Sequence, residues 1–226
     1  MPVERMIVTV DGPAGAGKST VARALARRLG YQYLDTGAMY RAVALAALHR
    51  GLDFENPEGI AQLARQLKIE VSGCQIFLDG QEVTEAVRSS EVTSVTRFAA
   101  DNPHVREHLV ALQRAMGAQR DIVTEGRDQG TVVFPEAQCK IYLTASPEER
   151  ARRRMEEFLQ RGESPAFAEV LAAQQRRDRD DANRPVGPLR PASDAIEVIT
   201  DGMSIGEVVD RLETLVRQKL PLPDDP

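Results

Sequence analysis

Between Gly12 and Thr20 the chain reads GPAGAGKST. Gly12, Gly15 and Gly17 let the backbone turn tightly and come close to a ligand. A single lysine and two hydroxyl residues follow, in the pattern GxxxxGK[ST] that cradles phosphate groups. In such a loop the backbone N–H groups and the N-terminus of the next helix point at an anion. The chemistry expected is nucleoside triphosphate binding. Gly12, Pro13, Ala14, Gly15, Ala16, Gly17, Lys18, Ser19 and Thr20 would line the ATP phosphates, with Lys18 at the β- and γ-phosphates and the Ser19 hydroxyl on Mg²⁺. Lys18 is the only lysine before Lys68, so it does not belong to a generally basic segment. A glycine-rich turn with a surface lysine is the plain alternative, and the apolar run before and helical pattern after it argue against that.

Two further stretches carry charged groups at suggestive places, LDTGAMYR from Leu34 and TEGRDQG from Thr124. Asp35 reads either as a participant near a metal or acceptor group or as a carboxylate capping a helix N-terminus. From Glu148 to Pro185 there are nine arginines and no lysine. Arg150 and Arg154 are one helical turn apart, and Arg177, Asp181 and Arg184 fall at i, i+4 and i+7. Neighbouring Glu148, Glu149, Glu156, Asp178 and Asp180 make a solvated, ion-paired face the expectation for most of these arginines. A few would reach a phosphate when the segment closes as a lid.

These groups need a scaffold. Met6–Val10, apolar and rich in β-branched residues, reads as a buried strand, and Tyr31–Leu34, Asp121–Thr124, Cys139–Leu143 and Ala195–Ile199 are further strand candidates. Helical patterns separate most of them. After the loop, Val21, Leu25 and Leu29 recur at intervals of four, and Gly30 is placed to end that helix. Strand and helix in alternation predict an α/β fold: a parallel five-stranded sheet of the phosphate-loop type with helices on both faces. Ligands in such sheets bind beyond the carboxyl ends of the strands, where Asp11, LDTGAMYR and TEGRDQG lie. LKIEVSGCQIFLDGQEVTEAVR, from Leu67, breaks the rhythm. Its alternation and its turn signals Ser72-Gly73 and Asp79-Gly80 predict a small antiparallel meander. Ser164-Pro165 predicts the start of the second lid helix, with Ser as cap. The reading is one domain over 1–220, with an acceptor-side insert around 57–110, a lid around 148–185 and a tail at 221–226.

Composition narrows the function. Of 226 residues, 42% are hydrophobic and 4% aromatic, with no Trp, so the core is aliphatic. The net charge of −5 argues against a general nucleic-acid or membrane-surface binder. Twenty-five of the 29 basic residues are Arg, which suits planar recognition of phosphate and equally fits a genomic bias. Cys74 and Cys139 form no CxxC pair, so a reducing cytoplasm is expected. No apolar run approaches bilayer length, and the first apolar run ends at Asp11 after five residues, too short for a signal-peptide core.

DGPAGAGKST, LDTGAMYR, EGRDQGTVVFP and RRDRDDANRPVGPL occur in this order and spacing, and together they resemble bacterial cytidylate kinase, a nucleoside monophosphate kinase family. The match runs from about Met6 to Leu220. The resemblance implies transfer of the γ-phosphoryl group of ATP to CMP or dCMP with Mg²⁺; a monomer that binds neither nucleic acid nor membrane is the accompanying expectation. It implies that Thr36, Arg41, Arg127 and Arg184 hold the acceptor phosphate, that Arg177 and Asp181 hold the sugar, and that Arg106 and Asp128 read cytosine. Lys18, Arg41, Arg127 and Arg184 would be the catalytic charges, and Arg150 and Arg154 would serve ATP from the lid. Cytosine presents an acceptor at N3 and a donor at N4, so a cation and a carboxylate suit it. Two positions depart from the family. Arg97 stands where it carries a base-contacting Ser, with Thr96 beside it, and Gln129 stands where it carries an apolar residue.

Other functions leave different marks. A GTP switch would carry an NKxD segment for guanine, which is absent. A regulatory nucleotide-binding module would need no arginines for an acceptor phosphate. HVREH, His104 to His108, matches the HxxEH pattern of zinc peptidases, with two His one turn apart and Glu107 as base. No clear third ligand follows, and a surface helix begun after Asn102-Pro103 accounts for the same residues.

Overall fold

The computed structural model describes residues 5–219, and the tail at 221–226 lies outside the described residues. The chain divides into two compact units, one formed by Gln32–Ile122 and the other by Met6–Tyr31 with the chain from Val123 onward.

The second of these begins with β1 (Ile7–Asp11) and α1 (Lys18–Leu29). From Val8 to Asp11 every residue of β1 is buried, as a strand covered on both faces requires. Val21 and Leu25 of α1 are buried, and Gly30 closes the helix at φ 71°, taking bonds to Ala26 and Arg27 carbonyls.

The first unit opens with β2 (Gln32–Asp35) and α2 (Thr36–His49). α2 is buried almost all round, from Ala38 to Tyr40 and from Ala42 to Ala47, because its side chains are small and apolar. α3 (Pro57–Gln66) starts with Asn56 as cap and Pro57 in the first turn. The predicted meander follows as β3 (Ile69–Ser72), β4 (Gln75–Leu78) and β5 (Gln81–Glu82), antiparallel and in sequence order. Ile69 pairs with Leu78 and Leu78 with Gln81. The tight turn at Asp79-Gly80 has positive φ at both residues, 51° and 81°, as a type I′ hairpin needs. The other turn is Gly73-Cys74, one residue later than expected, because Ser72 is still paired with Gln75. A short 3₁₀ turn at Ala86–Arg88, α4 (Ser90–Ala100) and α5 (Pro103–Gly117) complete the unit.

In the other unit the chain resumes with β6 (Ile122–Gly126), a single π turn (Gln129–Val133), β7 (Cys139–Thr144), α6 (Pro147–Gln160), α7 (Phe167–Ala182), β8 (Ile196–Ile199) and α8 (Ile205–Lys219). The parallel sheet has the order β2-β6-β1-β7-β8. Its register sets Val8 beside Cys139 and Ile141 beside Ile196. All five predicted sheet strands are present, shifted by at most about a residue at most ends. α1 packs against α8 through an aliphatic core that includes Val21, Leu25, Val209 and Leu212.

Two expectations for the lid need correction. α7 begins at Phe167 and is capped by Ala166, because its helical bonds start with the Glu169 and Val170 N–H groups on the Ala166 carbonyl. Ser164 and Pro165 lie outside it. The helix also ends at Ala182, so Arg184 is not at the next turn of the Arg177–Asp181 face.

Candidate functional site

The phosphate loop is built by steric necessity. Gly12 sits at φ 152°, and a Cβ there would run into the Leu143 carbonyl oxygen of β7. Gly17, the N-cap of α1, has φ 85°. Gly12→Ala is therefore expected to cost about 1–3 kcal/mol of stability through overpacking and strain, measured as a lowered thermal midpoint. The loop's outer carbonyls are held by α6. Arg150 donates to the Ala14 carbonyl at 3.1 Å and Arg153 to the Ala16 carbonyl at 3.5 Å. Gln174 of α7 donates to the Arg150 carbonyl, and the Asp178 carboxylate accepts from Arg150 at 2.6 Å.

Lys18 is buried, with Nζ donating to the Pro13 carbonyl at 2.7 Å. Burial, reinforced by the Arg127 charge, lowers its pKa to about 7 against the opposing pull of Glu125 and Asp11. An ammonium whose charge is costly gains strongly from phosphate oxygens. The Ser19 hydroxyl donates to Glu125 at 2.7 Å. Glu125 carries no assignment from sequence reasoning. Its signal is there, since a carboxylate at the carboxyl end of a strand lies where ligands bind in such sheets.

Beyond β6 lies a half-buried charge cluster on the same unit, centred on the buried Asp181. Asp181 accepts from Arg127 Nε at 2.8 Å through one oxygen and from Arg184 at 2.7 Å through the other. Although burial would raise the Asp181 pKa, the charges of Arg127, Arg184 and Arg177 lower it. Burial likewise acts to lower that of Arg127, and the Asp181 charge and hydrogen bond more than compensate. Arg177 is exposed on α7, close enough to affect both Lys18 and Asp181. Asp128 is buried at the N-cap of the π turn but does not cap it with its own side chain. Asp11 does so instead, accepting the Gln129 and Gly130 N–H groups at 2.9 and 2.7 Å.

Elsewhere in the lid, ion pairs dominate. Arg152 and Arg153 pair with Glu149, Arg154 with Glu157 and Arg161 with Glu163. Arg154 also lies over the Phe158 ring at 5.0 Å. A solvated face describes these residues better than a row of unscreened cations.

On the first unit, Asp35 is the N-cap of α2: it accepts the Ala38 N–H at 2.9 Å and pairs with Arg88 at 3.2 Å. Thr36, the first residue of α2, is buried. Arg41 donates to Thr93 at 2.6 Å and to the Val87 carbonyl at 3.4 Å, which ties α2 to α4 and the 3₁₀ turn. Arg106 is buried, donates to the Ala100 carbonyl at 3.2 Å and lies over the Tyr40 ring at 5.4 Å. Arg97 is exposed over the Phe98 ring at 4.7 Å, while Thr96 donates to the Val92 carbonyl of its own helix.

The zinc reading of HVREH finds little support. Asn102 caps α5 by accepting the His104 and Val105 N–H groups, and Val105 and Leu109 face inward. His104 is exposed and 3.9 Å from Glu107. Among the described residues, no group of three His, Cys, Asp or Glu side chains could hold a metal ion. Among them, too, no helix is long and apolar enough to cross a membrane.

Comparison with known proteins identifies the family. Residues 8–218 match the family model described as cytidylate kinase. The chain is similar to a cytidylate kinase of Rhodopirellula baltica, 52% identical over 94% of this chain and 93% of the relative. It is also similar to a cytidylate kinase of Desulfitobacterium hafniense, 49% identical over 94% and 93%. A solved structure of an uncharacterized protein from Eubacterium ventriosum shares the fold, with a TM-score of 0.53 at 10% identity over 95% of this chain and 99% of that one. With a phosphate loop in place and a family match along nearly the whole described chain, this protein belongs to the cytidylate kinase family.

Proposed function

We infer that this chain transfers the γ-phosphoryl group of ATP to CMP or dCMP, giving ADP and CDP or dCDP. The observation that carries the reading is the occurrence, on one unit, of a phosphate loop together with two half-buried arginines, Arg127 and Arg184, gathered on the buried Asp181. A module that only binds a nucleotide needs the loop. Two arginines held on one carboxylate leave a surplus of positive charge, which has a purpose when a second phosphate must be screened.

Little covalent chemistry is asked of the protein. The transition state spreads charge over the moving phosphoryl oxygens, so catalysis is positioning and electrostatics. Lys18 and the loop N–H groups face the ATP phosphates, and Arg150 supports the loop from behind through Ala14. Arg154 would serve ATP from the lid by exchanging its pair with Glu157 for a phosphate. The oxygens of Ser19 and Glu125 are hard donors of the kind Mg²⁺ takes, and Ser19 would hold the ion. Bound there, Mg²⁺ would offset charge on the β- and γ-phosphate oxygens.

Arg41, Arg127 and Arg184 screen the CMP phosphate so that it can approach ATP, with Thr36 as a further hydrogen-bonding partner. Arg177 and Asp181 take the sugar, and Arg106 and Asp128 read cytosine. On this reading the enzyme works on free nucleotides as a cytoplasmic monomer, without nucleic acid or membrane.

A panel of CMP, dCMP, UMP, AMP and GMP with ATP and Mg²⁺, followed by ADP release, tests the function. CMP and dCMP are expected to support turnover well above the others. ADP release independent of any acceptor would point to a simple ATPase. A second expectation concerns the lid. Amide hydrogen exchange in the Glu148–Pro185 segment should slow when ATP and CMP are added together, because its exposed arginines gain phosphate partners. Identical exchange with and without the nucleotides would leave these arginines as surface charge only.

A further inference from the structure

We propose that Asp11 is a positioning residue for the acceptor: by holding the backbone of the turn after Asp128, it fixes Arg127 and Asp128 and couples them to the start of the phosphate loop. The proposal rests on the acceptor roles inferred above for Arg127 and Asp128.

The geometry is specific. Asp11 ends β1, and the next residue, Gly12, begins the phosphate loop. Its carboxylate is buried and engaged through both oxygens, with Oδ1 accepting the Gln129 N–H and Oδ2 the Gly130 N–H. Those N–H groups open the π turn, and helical starts leave such donors without intrahelical partners. The side chain expected to cap them belongs to Asp128, which stands at the N-cap and makes no cap bond. Asp11 thus performs the capping from β1. The Gln129 side chain adds a second anchor, its Oε1 accepting from the Thr124 hydroxyl at 2.9 Å. A third constraint is steric, since a Cβ on Gly130 would lie 2.9 Å from Thr9 Oγ1 and 3.3 Å from the Lys140 stem. Burial and the nearby Asp128 charge push the Asp11 pKa up to about 6, while the two N–H bonds work against that rise. The carboxylate is thus kept at a cost, and the bonds it makes are the ones that define the turn.

Asp11→Asn removes one acceptor and sets an amide donor against a backbone donor, so the turn must shift. Displacements near 1 Å in positioning groups can cost as much as about a hundredfold; the expected result here is a KM for CMP raised about tenfold, with KM for ATP moving less than about threefold. The CMP/UMP ratio of kcat/KM should fall by about fivefold or more, and adding Asp128→Asn to Asp11→Asn should give a ratio no lower than Asp128→Asn alone. Four proteins are compared: wild type, each single variant and the double variant. If Asp128→Asn lowers the ratio while Asp11→Asn does not, the base-reading role stands and the positioning role is overturned. Multiplicative effects in the double variant overturn it as well. If Asp128→Asn leaves the ratio unchanged, base reading by Asp128 falls, and Asp11 is judged on the KM split alone, which Arg127 still reports: a rise for CMP only supports the proposal, and equal or absent changes overturn it. Should Asp11→Asn fail to fold by circular dichroism, Gly130→Ala displaces the same turn without touching a charge. The same KM split is expected of it, and unchanged kinetics would overturn the proposal.

Discussion

Lys18→Ala lowers phosphoryl transfer by at least about a hundredfold, the usual scale for losing one aligned charge at a developing anion, while the fold persists. The side chain is buried in the loop, its ammonium tethered to Pro13 by one bond and its pKa brought down to about 7 by burial and by Arg127. That charge contributes little to the fold and a great deal to phosphate oxygens. Loss of Lys18 therefore removes a cation from the reacting centre without leaving a buried carboxylate unpaired, because its partner is a neutral carbonyl. ADP release at saturating ATP and CMP, with circular dichroism on the same sample, checks the expectation. Near-normal turnover by the folded variant would remove this loop from the mechanism.

Asp128→Asn is expected to reduce the CMP/UMP ratio of kcat/KM by at least about tenfold, equivalent to roughly 1.4 kcal/mol. A carboxylate accepts the cytosine N4 amino group and repels the uracil O4 acceptor, whereas the Asn amide can donate to O4. Sites that bury polar groups matched to one substrate reject the mismatched one because those groups are left unsatisfied. Asp128 is buried, at the start of a turn whose first N–H groups are held by Asp11. Arg106→Ala should weaken CMP through its N3 contact and should not help UMP. Equal losses for CMP and UMP in Asp128→Asn would make Asp128 a structural residue and assign cytosine to other groups.

Much of this was legible in the sequence where local chemistry is decisive. Glycines with enforced backbone geometry marked the phosphate loop, and Gly12 and Gly17 have positive φ as that loop requires. Alternation from Leu67 onward marked the meander, and Asp79-Gly80 marked its second hairpin. Asp35 was open between a cap and a catalytic role; the Ala38 N–H contact assigns the cap directly. What the sequence concealed are bonds between residues distant in the chain. The link from Asp11 to Gln129 and Gly130 spans more than a hundred residues, as does that from Ser19 to Glu125. The lid start was missed because Ser-Pro resembles a cap and first turn, while the first buried anchor of α7 is Val170. Arg184 was placed by helical spacing, yet it reaches Asp181 from beyond the helix end, where Asn183 is the C-cap.

The most direct test of the central claim follows the phosphoryl group itself. ATP labelled at the γ-phosphate is incubated with the protein, Mg²⁺ and CMP, and the products are separated. The label is expected in CDP, in amounts equal to the ADP formed, and absent from UDP when UMP is supplied at the same low concentration. Label recovered only as inorganic phosphate, or ADP formed without labelled CDP, would contradict transfer to cytidylate.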